Sequence, residues 1–526
     1  MTRWRSRRAP VAALLTLALL GHTSGALGYP LDGYETTGIA RLEAQRLVQE
    51  GEAKGRKRPP GELLPLSQVD LRLIDHRDLT LPPSDPQLTG VIQRLLGPDA
   101  DRYGIALLDL SDVENPRYAE WNGHVRQNPG SVGKLLVALA IFQALADIHP
   151  DDIPARRRIL RETVITADAF SVYDHHNVPF YDPKTGSYKR RPLAEGDQAT
   201  LFTYLDWMMS PSSNSAAGML QKNLILLAHY GKDYPPSPEE DARFFRETPK
   251  AELSAIFEKA LQTPVARNGL DPEELRQGGF FTRQGKQLVP AGGSYATPRA
   301  LVEFMLRLEQ GRLVDEFSSR EIKRLMYVTE RRIRYASSGA LRDSAVYFKS
   351  GSLYSCQPEE GFTCAKYHGN KRNYMNSVAI VESPAGQGRL HYMVSVLSNV
   401  LRKNSAVDHR DLARAVHGHL LSVHPARPVA KGELPPSATF GEGFIGYEAE
   451  RRELRLAFDT QEALTDLGYA IGEIDGIVGS GTRRAISSFQ KSQGLPADGK
   501  ASHGLLKTMR RVAAEKGLAR PETGSD

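Results

Sequence analysis

The sequence predicts an α/β protein of the α+β kind, in which a five-stranded antiparallel sheet is flanked by helices and an all-α part, with a separate small three-helix C-terminal domain. Three observations predict this fold class. Strand-like segments open and close the span 90–422, and apolar helix-like segments lie between them. At about residue 423 the composition changes to a Pro- and Gly-rich linker. Beyond the linker, short amphipathic helices alternate with Gly-containing loops.

Residues 1–28 have the pattern of a signal peptide. Four arginines precede the apolar run 12–20, and small residues follow at 24–28. The apolar run is too short for a comfortable membrane span, and no later stretch reaches the roughly 18 to 20 apolar residues that a span needs. The sequence therefore predicts an exported protein, periplasmic or cell-wall associated, with no transmembrane segment in its mature form.

The composition is that of a globular protein, with 40% hydrophobic and 25% charged residues among 526. The 68 basic residues outnumber the 62 acidic ones only slightly, for a net charge of +6. They form no long basic block, which argues against a nucleic-acid partner. The length leaves room for a large core and a second small domain.

The span 29–89 is predicted to be an N-terminal extension packed on the main domain, and the sequence assigns it no function. It joins a helix-like piece at 41–48 to a basic, turn-forming loop at 54–61. A solvated loop is favoured over contact with an anionic polymer, because the charges are few. The main domain, 90–422, then begins with a helix over about 90–96.

The main domain contains five strand-like segments. They are 103–110, 117–121, 345–352, 376–382 and 391–400. Turn residues at 384–388 join the last two as a hairpin, and a closing helix follows at 408–421. An inserted segment is expected around 234–263.

The apolar run 135–142 continues without Gly or Pro to Leu145 and predicts a mostly buried helix opening just after Pro129-Gly130. Ser131 and Lys134 then share one face, because residues three apart on a helix are neighbours. A serine hydroxyl is a weak nucleophile unless a base takes its proton, and a lysine desolvated among apolar neighbours can be that base. Alone, this S-x-x-K pattern is more often a helix cap with a surface lysine.

Two further motifs change that interpretation. Ser212-Ser213-Asn214 supplies S-x-N at a loop-to-helix junction. Lys349-Ser350-Gly351-Ser352 follows a strand-like segment and supplies K-[ST]-G on a strand edge. Either motif alone is uninformative, but all three occur in this order within one domain-sized span.

In that order the motifs match the signature of penicillin-binding proteins and class A β-lactamases, a family that the sequence resembles over about residues 90–420. The resemblance implies a β-lactamase/transpeptidase-like fold and a serine hydrolase that forms an acyl-enzyme. Its substrates would be β-lactams or the D-Ala-D-Ala stem peptides of peptidoglycan, and neither a cofactor nor a metal is expected.

The resemblance also implies a role for each motif residue. The catalytic residues would be Ser131, Lys134 and Ser212, and the substrate-binding residues would be Asn214, Lys349, Ser350, Gly351 and Ser352. Ser131 would be the nucleophile that Lys134 activates, and Ser212 would pass a proton to the leaving nitrogen. Asn214 would orient the substrate amide, and Lys349 with Ser350 would hold the substrate carboxylate. Backbone N–H groups of Ser131 and Ser352 would form the oxyanion hole.

One feature of the family is missing. Class A β-lactamases carry a Glu-x-x-Leu-Asn loop whose Glu directs water at the acyl-enzyme, and no such string lies between Asn214 and Lys349. The nearest stretch offers Glu273 and Glu274 with the wrong spacing. Either one of these carboxylates is the deacylation base, or the Lys134 and Ser212 pair activates water, which is favoured. Efficient antibiotic hydrolysis is therefore not expected.

The sequence contains two cysteines, Cys356 and Cys364. In an oxidising compartment a disulfide closing a loop beside the active site is favoured over unlinked thiols. Metal binding is disfavoured, since two Cys with His368 fall short of four ligands. The adjacent His175 and His176 are interpreted as surface residues rather than metal ligands.

After the linker, 423–453, residues 454–515 show a compact pattern followed by a tail, 516–526. A short amphipathic helix ends at Gly468, a turn-rich loop spans 474–479, and Thr482 caps a second helix. The pattern resembles the small three-helix peptidoglycan-binding domain, which implies peptidoglycan as a partner. Two alternatives stay open: a helical tail without a ligand, and a catalytically weak or inactive peptidoglycan-binding protein of the cell envelope.

Overall fold

The computed structural model describes residues 32–424, 456–457, 459–471, 478 and 480–518. The predicted signal peptide, nearly all of the predicted linker and most of the predicted tail lie outside the described residues. The predicted loop 474–479 lies outside them except for residue 478.

Eleven strands occur in the described part of the chain. They are Tyr103–Asp109 (β1), Arg117–Trp121 (β2), Val164–Thr166 (β3), Asn177–Asp182 (β4), Ser187–Pro192 (β5), Gln198–Thr200 (β6), Leu275–Arg276 (β7), Tyr295–Ala296 (β8), Ala345–Ser355 (β9), Arg372–Ser383 (β10) and Leu390–Asn399 (β11). Five of them form one antiparallel sheet in the order β2-β1-β11-β10-β9. The prediction of a five-stranded antiparallel sheet is confirmed, and β9, which carries the K-[ST]-G motif, is an edge strand.

Fifteen helices occupy the rest of the described structure. They are Gly33–Thr37 (α1), Ala40–Glu50 (α2), Pro86–Leu96 (α3), Lys134–Ile148 (α4), Ile153–Glu162 (α5), Leu201–Met209 (α6), Asn214–Tyr230 (α7), Pro238–Glu247 (α8), Lys250–Arg267 (α9), Arg283–Leu288 (α10), Pro298–Glu309 (α11), Glu316–Tyr327 (α12), Ala406–Val423 (α13), Ser480–Ser492 (α14) and His503–Glu515 (α15). Helices α8 and α9 cover most of the span 234–263, where an inserted segment is predicted. A further helical stretch covers residues 459–466.

The sheet is buried on both faces, which explains the apolar character of its strands. Ala106 and Leu108 of β1 join the larger core with α4, whereas Ile105 and Leu107 join a second core beneath α13. Successive side chains of a strand point to opposite faces, so this alternation follows from the strand geometry alone. The sheet therefore lies between two layers of helices.

Helix α4 is apolar around nearly its whole circumference and lies in the larger core. The stretch Gly130–Ile148 is long and apolar enough to span a membrane, but 78% of that window is buried inside the domain. We therefore assign it to the core, where it provides a rigid support for the residues at its first turn.

The N-terminal extension packs on the main domain. Ile39 and Leu42 belong to the larger core. Arg41 donates from Nε to the Asp206 carboxylate at 2.6 Å, and both side chains are buried. Breaking such a pair from one side leaves a buried charge uncompensated, so this contact fixes α2 against α6.

One hairpin was not predicted. The stretches 174–177 and 182–186 are polar and are interpreted as loop in the sequence, but β4 lies between them, β5 follows them, and the two strands pair as an antiparallel ribbon. Every residue of β5 is exposed, so the strand shows no burial alternation that a sequence could reveal.

The C-terminal residues form their own core. Leu464 from the stretch 459–466, Ile486 and Phe489 from α14, and Met509 from α15 pack together. Gln490 holds the following loop by donating to Asp498 at 2.7 Å and accepting from the Gly499 backbone at 2.9 Å. The described part agrees with the predicted small helical domain.

Candidate active site

Ser131 lies in a single 3₁₀ turn, Gly130–Gly133, that leads into α4. The helix itself begins at Lys134, three residues later than the sequence suggests. Gly130 has a φ of +53°, a left-handed conformation that glycine adopts without strain. A side chain at Gly351 of β9 would meet the Ser131 backbone nitrogen at 2.7 Å. The turn and the strand edge therefore touch, which brings the backbone of Ser131 beside the K-[ST]-G motif.

Lys134 is fully buried at the start of α4. Its Nζ donates to Ser131 Oγ at 3.1 Å, Asn214 Oδ1 at 2.8 Å and the Ser212 carbonyl at 2.5 Å, and it lies 3.3 Å from Ser212 Oγ. Burial lowers the pKa of Lys134 to about 7, although the Asp174 carboxylate opposes the shift. A lysine with this pKa is substantially neutral at physiological pH and is able to accept a proton.

Ser212 lies between two lysines. Its Oγ accepts a hydrogen bond from Lys349 Nζ at 2.8 Å and lies 3.3 Å from Lys134 Nζ. Its φ of +63° is unusual for a residue other than glycine. Strained backbone of this kind persists where the surrounding structure holds it, and here both lysines hold the hydroxyl.

Asp174 holds this serine loop against α7. Its carboxylate accepts hydrogen bonds from Ser213 Oγ at 2.8 Å and from the Asn214 and Ser215 backbone nitrogens at 2.7 and 3.1 Å. Burial alone raises the pKa of the Asp174 carboxyl, but hydrogen bonds from His176, Ser215 and Ser213 outweigh it, so the pKa lies below its ordinary value. Asp174 is not among the predicted site residues, because no sequence motif surrounds it.

Lys349 is buried on the edge strand β9. Burial lowers its pKa well below the usual range, and the nearby charges of Lys134 and Arg334 add to the shift. Ser350 is also buried, whereas Ser352 is half-buried at the point where the strand leaves the core. The predicted motif residues of the three segments are thus brought together around Ser131.

Arg334 is a second residue that the sequence analysis missed. It is buried, its φ is +54°, and its Nη1 donates to the Gly351 carbonyl at 2.5 Å. The guanidinium therefore lies directly behind the K-[ST]-G strand and borders the same cleft as Ser131. Nothing in the sequence before β9 indicates that Arg334 belongs to the site, because arginine residues usually lie on the protein surface.

The comparisons with known proteins agree with this geometry. Residues 87–420, more than half of the chain, match the family model of the beta-lactamase enzyme family. The chain belongs to the beta-lactamase enzyme family. Residues 459–509 match the model of a peptidoglycan binding domain. The resemblance inferred from the three motifs and the predicted β-lactamase/transpeptidase-like fold are confirmed, and this β-lactamase-family protein also carries a peptidoglycan-binding domain.

Solved structures with similar folds are distant in sequence. The TLA-3 extended-spectrum beta-lactamase is 14% identical, with a TM-score of 0.43 over 64% of this chain and 98% of that chain. A beta-lactamase from Chitinophaga pinensis DSM 2588 is 16% identical, with a TM-score of 0.40 over 62% and 97%. PBP-A is 14% identical, with a TM-score of 0.40 over 65% and 100%. No curated protein matches the sequence.

The two candidate deacylation bases of this β-lactamase-family protein are engaged elsewhere. Glu273 pairs with Arg126 at 3.2 Å, and Glu274 lies 2.5 Å from His124 Nδ1. Within the described residues, no carboxylate forms a hydrogen bond with Ser131, Lys134 or Ser212. These contacts do not favour either glutamate as the base.

The two adjacent histidines differ in burial. His175 is exposed, as predicted, whereas His176 is half-buried and its Nδ1 lies 2.6 Å from the Asp174 carboxylate. Ligand atoms of Asp174, His175 and His176 lie within 4.8 Å of one another, a spacing that a metal ion would also accept. Asp174 already serves the start of α7, however, so the contacts present fit a structural role for the His176 ring.

The structure joins Cys356 and Cys364 by a disulfide, with the two Cα atoms 5.9 Å apart. The bond closes a loop that begins directly after β9. The chain following this loop carries Lys366 and Tyr367, which border the same cleft as Ser131.

Proposed function

We propose that this β-lactamase-family protein is a serine hydrolase that forms an acyl-enzyme at Ser131 with β-lactams or with D-Ala-D-Ala stem peptides of peptidoglycan. The observation that carries the proposal is the contact of 3.1 Å between Lys134 Nζ and Ser131 Oγ. A nucleophile and its base must lie within hydrogen-bond reach of each other, and this pair does.

In the proposed acylation, Ser131 Oγ attacks the carbonyl carbon of the lactam or peptide bond, and its proton passes to the neutral amine of Lys134. The C–N bond then breaks as Ser212 Oγ delivers a proton to the leaving nitrogen. Ser212 lies within reach of both lysines, so its proton is replaced from Lys134. The product is an ester between Ser131 and the acyl group, with the amine released.

Substrate orientation comes from the edge strand. Lys349 and Ser350, with Arg334 behind the strand, would attract the substrate carboxylate. The backbone N–H groups of Ser131 and Ser352 would stabilise the oxyanion, and the tight approach of Gly351 to the Ser131 nitrogen supports this arrangement. The amide of Asn214, which accepts from Lys134 at 2.8 Å, would also hold the substrate amide.

Hydrolysis of the acyl-enzyme would be slow. The ring of Phe281 covers Lys134, and the family's glutamate-bearing loop is missing from the sequence. Water would be activated by the Lys134 and Ser212 pair alone. The combination of a slow β-lactam reaction with a peptidoglycan-binding domain favours wall stem peptides over antibiotics as the substrates.

The proposal includes export to the periplasm or cell wall, supported by the leader pattern and the peptidoglycan-binding domain. The test is labelling with a fluorescent penicillin, comparing the wild type with Ser131→Ala and with the control Ser187→Ala on the exposed strand β5. The wild type and the control become covalently labelled, and Ser131→Ala does not. An unlabelled wild type would instead favour a peptidoglycan-binding protein without catalysis.

A further inference from the structure

The cleft that contains Ser131 is larger than the space that the three catalytic motifs enclose. Its volume is about 1220 Å³, and it runs between β9, the hairpin of β4 and β5, and the segment 52–58 of the N-terminal extension. Pockets for small molecules usually measure about 300 to 1000 Å³, so this cleft has room for a substrate longer than a single β-lactam or a dipeptide.

The wall supplied by the extension is held by hydrogen bonds to α2. The Arg56 carbonyl accepts from Gln45 Nε2 at 3.1 Å, and the Arg58 backbone donates to Gln49 Oε1 at 2.9 Å. Directly after the wall, Gly61 donates its backbone N–H to the Arg342 carbonyl at 2.9 Å, which ties the chain to the residues before β9. A wall fixed in this way is able to present side chains to a substrate.

The lining of the cleft is strongly cationic. Nine of its lining residues are Lys or Arg, whereas two are Glu. Several of these cations have carboxylate partners, among them Arg41 with Asp206, Arg58 with Glu62, and Arg190 with Glu330. The last of these pairs also occupies one of the two glutamates. Basic residues nevertheless outnumber acidic ones in the lining, and a concave surface with one prevailing sign of charge attracts ligands of the opposite sign.

Two exposed lysines of this lining lie outside the catalytic motifs. Lys54 belongs to the N-terminal extension, and Lys366 follows the disulfide-closed loop. Neither forms an ion pair with any residue that the structure describes, and Lys366 Nζ lies 5.1 Å from the Tyr367 ring. Their charges are therefore available to an anion in the cleft.

We propose that Lys54 and Lys366 form an outer anion subsite that binds a second carboxylate of the substrate, on the acyl side of the scissile bond. The inference rests on the proposed function. If Lys349, Ser350 and Arg334 hold the carboxylate at the C-terminal end of a peptide, the remainder of that peptide precedes the scissile bond. The preferred substrate is then an acidic peptide, and the N-terminal extension is part of its binding site.

The test uses two peptides that end in D-Ala-D-Ala and differ only in one residue before it, which carries a carboxylate in one peptide and a carboxamide in the other. The measurement is the peptide concentration that halves the rate of fluorescent-penicillin labelling. The wild type should prefer the carboxylate peptide, and each of Lys54→Gln and Lys366→Gln should reduce that preference about two- to fivefold, since an exposed charge pair contributes modestly. Raised salt should reduce it as well.

Two control variants, Lys259→Gln and Lys507→Gln, change exposed lysines outside the cleft. They should retain the wild-type preference for the carboxylate peptide. Labelling without peptide reports folding, and all variants should be labelled at the wild-type rate. Equal potency of the two peptides on a normally labelled wild type would overturn the subsite. A preference that survives both cleft substitutions would overturn it too, whereas an unlabelled wild type would mean that the proposed function itself has failed.

Discussion

The ring centre of Phe281 lies 4.8 Å from the Nζ atom of Lys134. An apolar ring thus covers the amine that is the base in the proposed mechanism. It also occupies that side of Lys134 in place of a carboxylate.

The first prediction concerns the lifetime of the acyl-enzyme. A general base typically contributes about 10²- to 10⁴-fold, so its absence should leave a penicilloyl adduct that persists after excess penicillin is removed. The decay of the adduct is followed by intact-protein mass spectrometry. The adducts of Glu273→Gln and Glu274→Gln should decay at the wild-type rate. If the wild-type adduct decays rapidly and either substitution slows it, that glutamate is the deacylation base, contrary to the contacts in the structure.

The second prediction concerns pH. In the proposed mechanism the neutral amine of Lys134 is the base, and the neutral fraction rises with pH through the Lys134 pKa of about 7. The rate of penicillin acylation should therefore increase with pH and level off above about 8, as the remaining protonated fraction becomes small. His176→Gln should keep the same midpoint. A rate that is flat from pH 6 to 8 would contradict Lys134 as the titrating base.

The third prediction concerns Asp174. Asp174→Asn replaces a charged acceptor of three hydrogen bonds at the start of α7. A hydrogen bond to a charged group contributes about 1.5 to 3 kcal/mol, so the free energy of unfolding should fall by about that amount, with slower acylation as the Ser212 loop loosens. Urea unfolding measures the first effect. The exposed Asp151→Asn is the control, and equal stability of the two variants would argue against the anchoring role.

The local part of the site was predictable from the sequence. Ser131 lies in the 3₁₀ turn that leads into α4, and Lys134 is the first residue of that helix, so their spacing of three residues along a helical backbone brings them together. Ser350 and Gly351 lie in β9 directly after its apolar run 345–348, which is visible in the sequence. These relationships depend on neighbouring residues, so a short motif is enough to reveal them.

The remainder depends on distant parts of the chain. Phe281 reaches Lys134 only because the chain after α9 returns across the site, and nothing around residue 281 signals that return. Arg334 and Asp174 act through contacts with Gly351 and the start of α7, which are set by tertiary packing. The sequence left Glu273 and Glu274 as candidate deacylation bases. Their pairing with Arg126 and His124 depends on the folded structure and could not be predicted from sequence spacing.

The fourth prediction concerns the C-terminal domain. A chain that ends at residue 424 should keep penicillin labelling, because the larger core and α13 are complete by that point. It should lose most of its co-sedimentation with insoluble peptidoglycan, which the full chain retains. Sedimentation that is equal for the two chains would show that the wall contact lies in the hydrolase domain.

The most direct test of the account is to find where penicillin attaches. The full chain is treated with penicillin, digested, and analysed by peptide mass spectrometry. One adduct is expected, on the peptide that contains Ser131. This adduct should be absent from Ser131→Ala and strongly reduced in Lys134→Ala. An adduct on another residue, or an undiminished adduct in Ser131→Ala, would contradict it.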